Sequence, residues 1–302
     1  MIDSKAEVIM ATTIIYNFSD YPLWRNKIKN PKPFVLYGAI HLHKDLPQND
    51  LKIQRAKASD CYIANTEFER KKLIEYGVDA EKIVTIGTGI AIEDFYVSEN
   101  EIRTFKEQHS IKETDVVIGF IGRLVKGKGV AILIDAFREL IKENKNVKLL
   151  LAGGTTDYVP EIKKITEKEG LPVILIENFP EANKNLLFNV LDVFVLASQS
   201  ESFGVVFLEA WACKKPVIGS RMGATESLLS EGIDSLLFEP NDVGDLCLKV
   251  KQLISDPAKR VQFGLNGYKK VEENYTWPTI VAKYREAYQL AIRNFSNSKE
   301  LV

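Results

Sequence analysis

From residue 115 onward, short apolar runs alternate with longer amphipathic stretches. DVVIGFIG reads as a buried strand, and VAILIDAFRELIKENKN as a helix with Ile132, Ala136, Leu140 and Ile141 along one side. VKLLLAGG is a second strand with a Gly-Gly stop, and DYVPEIKKITEKEG a helix ended by Gly170. VILIEN, DVFVLAS and PVIGSR follow as strands, separated by the helices ANKNLLFNVL and FGVVFLEAWACK. The strand runs are continuously apolar, not alternating, so both faces of the sheet are covered. Strands separated by helices mean right-handed crossovers and a parallel sheet. Residues 115 to about 275 are expected to form a doubly wound α/β domain.

The first hundred residues repeat this pattern more weakly. EVIMATTII, PFVLYGAIH, DCYIANT and KIVTIGTGI are apolar runs, and EFERKKLIEYG is a helix stopped by Gly77. Three or four strands make a small open sheet, and no Gly-rich first turn opens it. We therefore expect a partial domain over 1–97. A linking stretch with a short helix leads into a C-terminal domain over 98–275. YTWPTIVAKYREAYQLAIRN is a long amphipathic helix within 276–302, with Thr276 as N-cap and Pro278 in its first turn.

Composition narrows the class. The 302 residues are 45% hydrophobic, enough for about two cores. Forty basic residues face 41 acidic ones, so no global field marks a nucleic-acid binder. Cys61, Cys213 and Cys247 lack the spacing of a disulfide framework or a zinc site, and read as buried, reduced thiols. No apolar run is long enough to span a membrane and no signal peptide is visible, so a cytoplasmic protein is expected. One stretch stands apart. YPLWRNKIKNPKP carries Arg25, Lys27, Lys29 and Lys32 with Tyr21 and Trp24 and no acid. Such a patch suits peripheral contact with an anionic membrane face, although a solvated helix end is the commoner outcome.

Two stretches carry chemistry. In GRLVKGKG a Gly-bearing turn follows a buried strand and opens a helix, presenting backbone N–H groups to an anion. Gly122 to Lys128 resembles a P-loop one residue short, but Gly129 stands where a magnesium-binding Ser or Thr is required. The dinucleotide fingerprint is absent as well. What remains is a phosphate turn in which Arg123 and Lys128 supply the positive charge. The second stretch is SQSESFGVVFLEAWACKKPVIGS. Glu201 and Glu209 flank Ser202, Phe203, Gly204 and Val205 at a helix start. The open amides of Phe203, Gly204 and Val205 suit a diphosphate. Glu209 lies about 7–8 Å further along the helix at 1.5 Å per residue, able to take hydroxyls beyond the phosphates. One acid here would be an ordinary wet-face residue; two around a Gly-bearing turn point to a ligand.

These motifs resemble the retaining glycosyltransferases of family 4, which have the GT-B fold. E-S-F-G-x-x-x-x-E-A followed by P-V-I-G-S looks like the family's E-x7-E signature, and G-R-L-x-x-x-K-G like its phosphate-binding turn. Gly223-Ala224-Thr225-Glu226 resembles its G-G-x-x-E turn, and Gly232 with LLFEPND the stretch that follows, with Ser235 in place of Gly. The resemblance covers roughly residues 5 to 295. It implies a complete C-terminal Rossmann-like domain that binds a UDP- or GDP-linked sugar, with no metal and no other cofactor. It implies that Arg123 and Lys128, on the turn that Gly122 opens, stabilise the leaving diphosphate. It implies that Glu209 binds the ribose, that Glu201 contacts the donor sugar, and that Ser202 and the amides from Phe203 to Val205 hold the phosphate and sugar region. His41, at the end of PFVLYGAIH, matches the family's active-site His, with His43 in reserve; His109 is read as solvated. The last helix is expected to pack back on the N-terminal domain.

The pattern also breaks. MIDSKAEVIMATT resembles an internal strand, so about half of the family's N-terminal domain is expected to be missing. A half sheet exposes edges and apolar faces, and a partner chain or a second copy would cover them. Lys214 stands where Gly often follows the helix, which predicts a left-handed residue there, and Thr88 replaces the usual Asn. The expected function is hexosyl transfer with retention of configuration to a lipid or glycan acceptor. The alternative is a nucleotide-sugar-binding module, inactive or dependent on a subunit.

Overall fold

The computed structural model describes residues 6–12, 17–40, 46–47 and 49–300. The chain forms two compact units, Met1–Gly89 with Trp277–Val302, and Ile90–Thr276.

In the first unit β1 (Ile9–Ala11) precedes α1 (Tyr21–Trp24), β2 (Phe34–Tyr37) and α2 (Leu51–Ala58). β3 (Cys61–Ala64), α3 (Glu67–Glu75) and β4 (Ile83–Thr85) follow. Among the described residues four strands are parallel in the order β1-β2-β3-β4, within the three or four expected. Phe34, Leu36, Ile53, Tyr62 and Leu73 fill its core. Asp60, 2% exposed, accepts from Phe34 N (2.8 Å) and pairs with Arg25, whose guanidinium lies 5.1 Å from the Phe295 ring.

The second unit begins with α4 (Glu99–Gln108), capped by a reciprocal Ser98–Glu101 box. Then come β5 (Val116–Ile121), α5 (Val130–Glu143), β6 (Val147–Gly153), α6 (Val159–Lys168), β7 (Val173–Glu177) and α7 (Lys184–Val190). β8 (Val193–Leu196), α8 (Val205–Ala212), β9 (Val217–Ser220), α9 (Gly223–Leu228), β10 (Ser235–Phe238), α10 (Val243–Ser255) and α11 (Pro257–Asn274) complete it. The sheet is parallel in the order β10-β9-β8-β5-β6-β7. Five of its strands are those the apolar runs predict. The sixth, β10, has only four residues, and its pattern alone does not announce a strand.

α5 packs against α10, while α8 packs against α7 and α11, so helices cover both faces. The buried stripe of α5 is Leu133, Ala136, Phe137 and Leu140; Ile132 and Ile141, placed on that face by the sequence, are only partly buried. The expected side shares Ala136 and Leu140 with this stripe, and Ile132 and Ile141 flank it against the same core.

The end of the first unit differs from the expected one. Ile90 N–H donates to Tyr275 O (2.8 Å), and the Asn185 and Asn189 amides donate to Asp94 O (3.1 Å) and Phe95 O (2.9 Å). These bonds draw 90–97 into the second unit, so the first unit ends at Gly89. The closing helix α12 (Trp277–Glu300) packs against β2 and β3 and donates from Asn294 to Asp60 O (2.9 Å).

The basic patch is partly dismantled. Tyr21 is buried against Phe34 and Arg25 turns to Asp60, leaving Trp24, Lys27 and Lys29 exposed. His109 caps the end of α4 and lies against the Phe105 ring, 4.3 Å between centroids, so it is not merely solvated. The three cysteines are free and buried. Among the described residues no helix is long and apolar enough to cross a membrane.

Candidate functional site

The strand order of the second sheet locates a crevice before any residue is considered. β5 and β8 are neighbours at its centre, and the chain leaves them toward helices on opposite faces. Ligands bind such sheets at this switch point, outside the carboxyl ends of the strands. The β5–α5 turn is GRLVKGKG and the β8–α8 turn is SQSESFG, so the two chemically marked stretches meet there.

Backbone bonds stitch the two turns together. Gln199 N donates to Gly127 O (3.1 Å), and Ser198 Oγ reaches both Gly127 O (3.3 Å) and Ser200 O (3.0 Å). Gly129 has φ +73°, and a Cβ added there would stand 1.9 Å from Ala197 O. The residue that breaks the P-loop pattern is therefore required by the packing of the two turns. Gly204, at φ +93°, caps α8 without a side-chain bond. The first amides of that helix are left for another acceptor.

Lys128 Nζ donates to Glu201 Oε1 at 2.6 Å, with side-chain exposures of 23% and 9%. Arg123 is exposed and forms no ion pair among the described residues. Gly122 follows β5, its N–H bonded to Ala152 O (2.9 Å). Ser202 is half-buried and Val205 exposed, whereas the Phe203 ring is buried against Tyr275. Phe203 can therefore offer a ligand only its backbone.

Glu209 is buried on α8 and lines a cavity of about 290 Å³ with Asp94, Phe95, Glu181, Ala182, Lys184 and Asn185. Its Oε1 accepts from Lys184 Nζ at 2.6 Å, and its Oε2 is buried with no hydrogen-bond partner. Burial pushes the Glu209 carboxyl above its ordinary pKa despite the lysine. Burial works against the Lys184 ammonium too, but Glu209 and Glu181 together hold its pKa above the usual value. The motif reading missed Lys184. A sequence signal existed: a cation at the first position of a helix faces the positive end of its dipole and needs a carboxylate nearby.

His41 and its reserve His43 lie outside the described residues. The strand leading to them ends in a braced turn. Glu69, 1% exposed, accepts from Tyr62 OH (2.7 Å), Asn65 N (2.8 Å) and Ile40 N (3.1 Å), and Ala39 sits at φ +46°. Burial raises the Glu69 pKa, and the three donors only partly offset it. Lys214 takes the predicted left-handed conformation, φ +55°, with Nζ 4.9 Å from the Tyr268 ring. Among the described residues no group of His, Cys, Asp and Glu is arranged to hold a metal ion.

Residues 101–270, more than half of the chain, match the family model described as "Glycosyl transferases group 1". The chain belongs to this family. This group 1 glycosyl transferase is 28% identical over 249 residues to the capsular polysaccharide biosynthesis glycosyltransferase CapM of Staphylococcus aureus, covering 80% of this chain and 64% of that protein. It is 26% identical over 252 residues to D-inositol 3-phosphate glycosyltransferase 2 of Catenulispora acidiphila, covering 80% of this chain and 58% of that one. It thus spans less than two thirds of the length of these two relatives. Its fold matches Anabaena Alr3699/HepE, solved in complex with UDP, with TM-score 0.83 at 23% identity, over 94% of this chain and 79% of that one. Sucrose-phosphate synthase from Thermosynechococcus elongatus matches with TM-score 0.79 at 20% identity, over 95% and 74%. The fold is α/β with parallel sheets, of the GT-B type.

Proposed function

We propose that this chain binds a nucleoside diphosphate sugar in its second unit and transfers the sugar with retention of configuration. The observation that carries the donor site is Glu209 Oε2, a buried carboxylate oxygen without a hydrogen-bond partner at the edge of a cavity. Buried acceptors are normally satisfied, and ribose hydroxyls are donors of the right kind. The diphosphate then lies on the amides at the start of α8, between the Arg123 and Lys128 cations. Fixed positive charge aimed at a departing diphosphate lowers the barrier without a metal in the step. Glu201 takes hydroxyls of the sugar, and His41 is assigned to the reacting end. UDP is the favoured nucleotide, because a neighbour of the same fold was solved with UDP; GDP is the second candidate. A glycan acceptor suits the role of CapM in capsular polysaccharide biosynthesis, whereas the second relative is named for a small phosphorylated acceptor, D-inositol 3-phosphate.

The alternative outcome is donor binding without turnover by this chain alone. One experiment separates the two. The protein is incubated with UDP- and GDP-sugars and a panel of lipid and glycan acceptors, and released nucleotide is measured. Acceptor-dependent release supports transfer; thermal stabilisation by UDP or GDP without release supports binding alone. Normal nucleotide binding by both Glu209→Ala and Lys128→Ala would overturn the assigned site.

A further inference from the structure

The inference rests on the donor reading above and concerns Lys128, whose single positive charge has two claimants. One is Glu201, whose carboxylate accepts from it at 2.6 Å and is 9% exposed. The other is a diphosphate on the amides at the start of α8. Lys126 is turned away, toward Glu161 (3.2 Å) and the Tyr158 ring (5.3 Å). With Lys128 neutralised by Glu201, Arg123 is the one cation of the turn without an ion-pair partner among the described residues.

We propose that Lys128 exchanges partners during the catalytic cycle. It leaves Glu201 for the diphosphate, and hydroxyl groups of the transferred sugar replace it on the carboxylate. A nucleoside diphosphate alone takes the cation from a largely buried carboxylate and gives nothing back, which is costly. A nucleotide sugar supplies O–H donors in return. Glu201 therefore makes the site prefer the loaded donor over the spent nucleotide. Once the sugar has gone, Glu201 draws Lys128 back and weakens the hold on the departing diphosphate. Glu209 is built differently: Oε1 keeps Lys184 while Oε2 has no partner, so it can take a hydroxyl without releasing its cation.

A lysine has three donors, so the competing arrangement is a bridge in which Glu201 steadies Lys128 against the diphosphate. The two differ in sign. Removing the charge of Glu201 tightens nucleotide binding under exchange and weakens it under bridging.

The test is calorimetric titration of the full chain with UDP, UDP-glucose, GDP and GDP-mannose, carrying forward the base that wild type binds. In Glu201→Gln the nucleoside diphosphate binds about tenfold tighter, the scale of one hydrogen bond to a charged group, and the preference for the nucleotide sugar disappears. Glu201→Ala shifts both in the same direction. In a Lys128→Met background the gain from Glu201→Gln vanishes. Unchanged or weaker nucleotide binding by Glu201→Gln overturns the exchange, and so does a gain that survives in Lys128→Met, since plain repulsion would then explain it. Failure of wild type to bind any of the four ligands overturns the donor reading and the exchange together.

Discussion

Gly129 and Ala197 meet so closely that no other residue fits at 129: a Cβ would lie 1.9 Å from the Ala197 carbonyl oxygen, and φ is +73°. This contact seats the phosphate turn of β5 on the turn that follows β8. Gly129→Ser restores the letters of a P-loop, and with them the temptation to expect magnesium binding. The expected outcome is loss of about 3 kcal/mol of stability, from the left-handed backbone and the displaced carbonyl, with no gain in magnesium affinity. Urea denaturation measures the first and calorimetry the second. A Gly129→Ser protein as stable as wild type would show that the two turns are not packed as described.

Much of this site was legible because its parts are local. A Gly-bearing turn after an apolar run, and acids flanking Ser-Phe-Gly at a helix start, are each set by a few consecutive residues. What was not legible depends on pairing across the chain. Lys184 finds Glu209 only because α7 and α8 are neighbours, and Arg25, just past α1, finds Asp60 because α1 packs against α2, which leads into β3. β10 was missed as a strand because three apolar residues after a serine are not distinctive; β9 beside it makes it one. The boundary at 97 failed for the same reason, since the bonds that draw 90–97 into the second unit come from α7 and Tyr275.

The Lys184–Glu209 pair gives a pH signature. A carboxyl with a raised folded pKa contributes stability that is complete below its unfolded pKa, and that contribution is lost as pH rises through the folded value. Glu209 has this sign. Lys184→Met removes the cation and raises the Glu209 pKa further, so its deficit grows with pH. At about pH 8 the expected loss is about 3 kcal/mol, shrinking as the pH falls below the raised pKa and the carboxyl takes up its proton. Lys184→Met with Glu209→Gln should recover most of the loss at high pH. Urea titrations at several pH values decide it, and a deficit independent of pH would mean that Lys184 acts through packing.

Ser235 carries a hydroxyl with no use in the core around it. The residue is fully buried on β10, and its Oγ has no hydrogen-bond partner. Ser235→Ala removes the orphan group and leaves the strand intact. The expected gain is about 1 kcal/mol, or about 3 °C in Tm for a unit of this size. Scanning calorimetry resolves a shift of that size, and a destabilised Ser235→Ala would mean that the hydroxyl has a partner after all.

Glu69 braces the turn that leads toward His41. Glu69→Leu leaves Tyr62 OH, Asn65 N and Ile40 N without their acceptor, and three lost bonds predict about 3 kcal/mol of destabilisation. Glu69→Gln keeps an acceptor for part of this set and should cost less. Hydrogen exchange at Ile40 and Asn65 gives a local readout: faster exchange at both amides in Glu69→Leu is expected, and unchanged protection would refute the brace.

Trp24 and Leu23, each 43% exposed, share one short segment with Lys27 and Lys29, which are exposed and unpaired among the described residues. Nearby acids do not cancel those charges, because Asp20 is engaged by Arg55 and Asp60 by Arg25. If this surface meets an anionic bilayer, each lysine would add about 1 kcal/mol near it. Contact of that kind would show as co-sedimentation with phosphatidylglycerol-rich vesicles at low salt, with little binding to phosphatidylcholine alone. Lys27→Glu with Lys29→Glu should lower the partition at least about tenfold, and Trp24→Ser should weaken what binding remains. Equal affinity for both vesicle types would remove the electrostatic term, and no sedimentation at low salt would leave this surface as a solvated helix end.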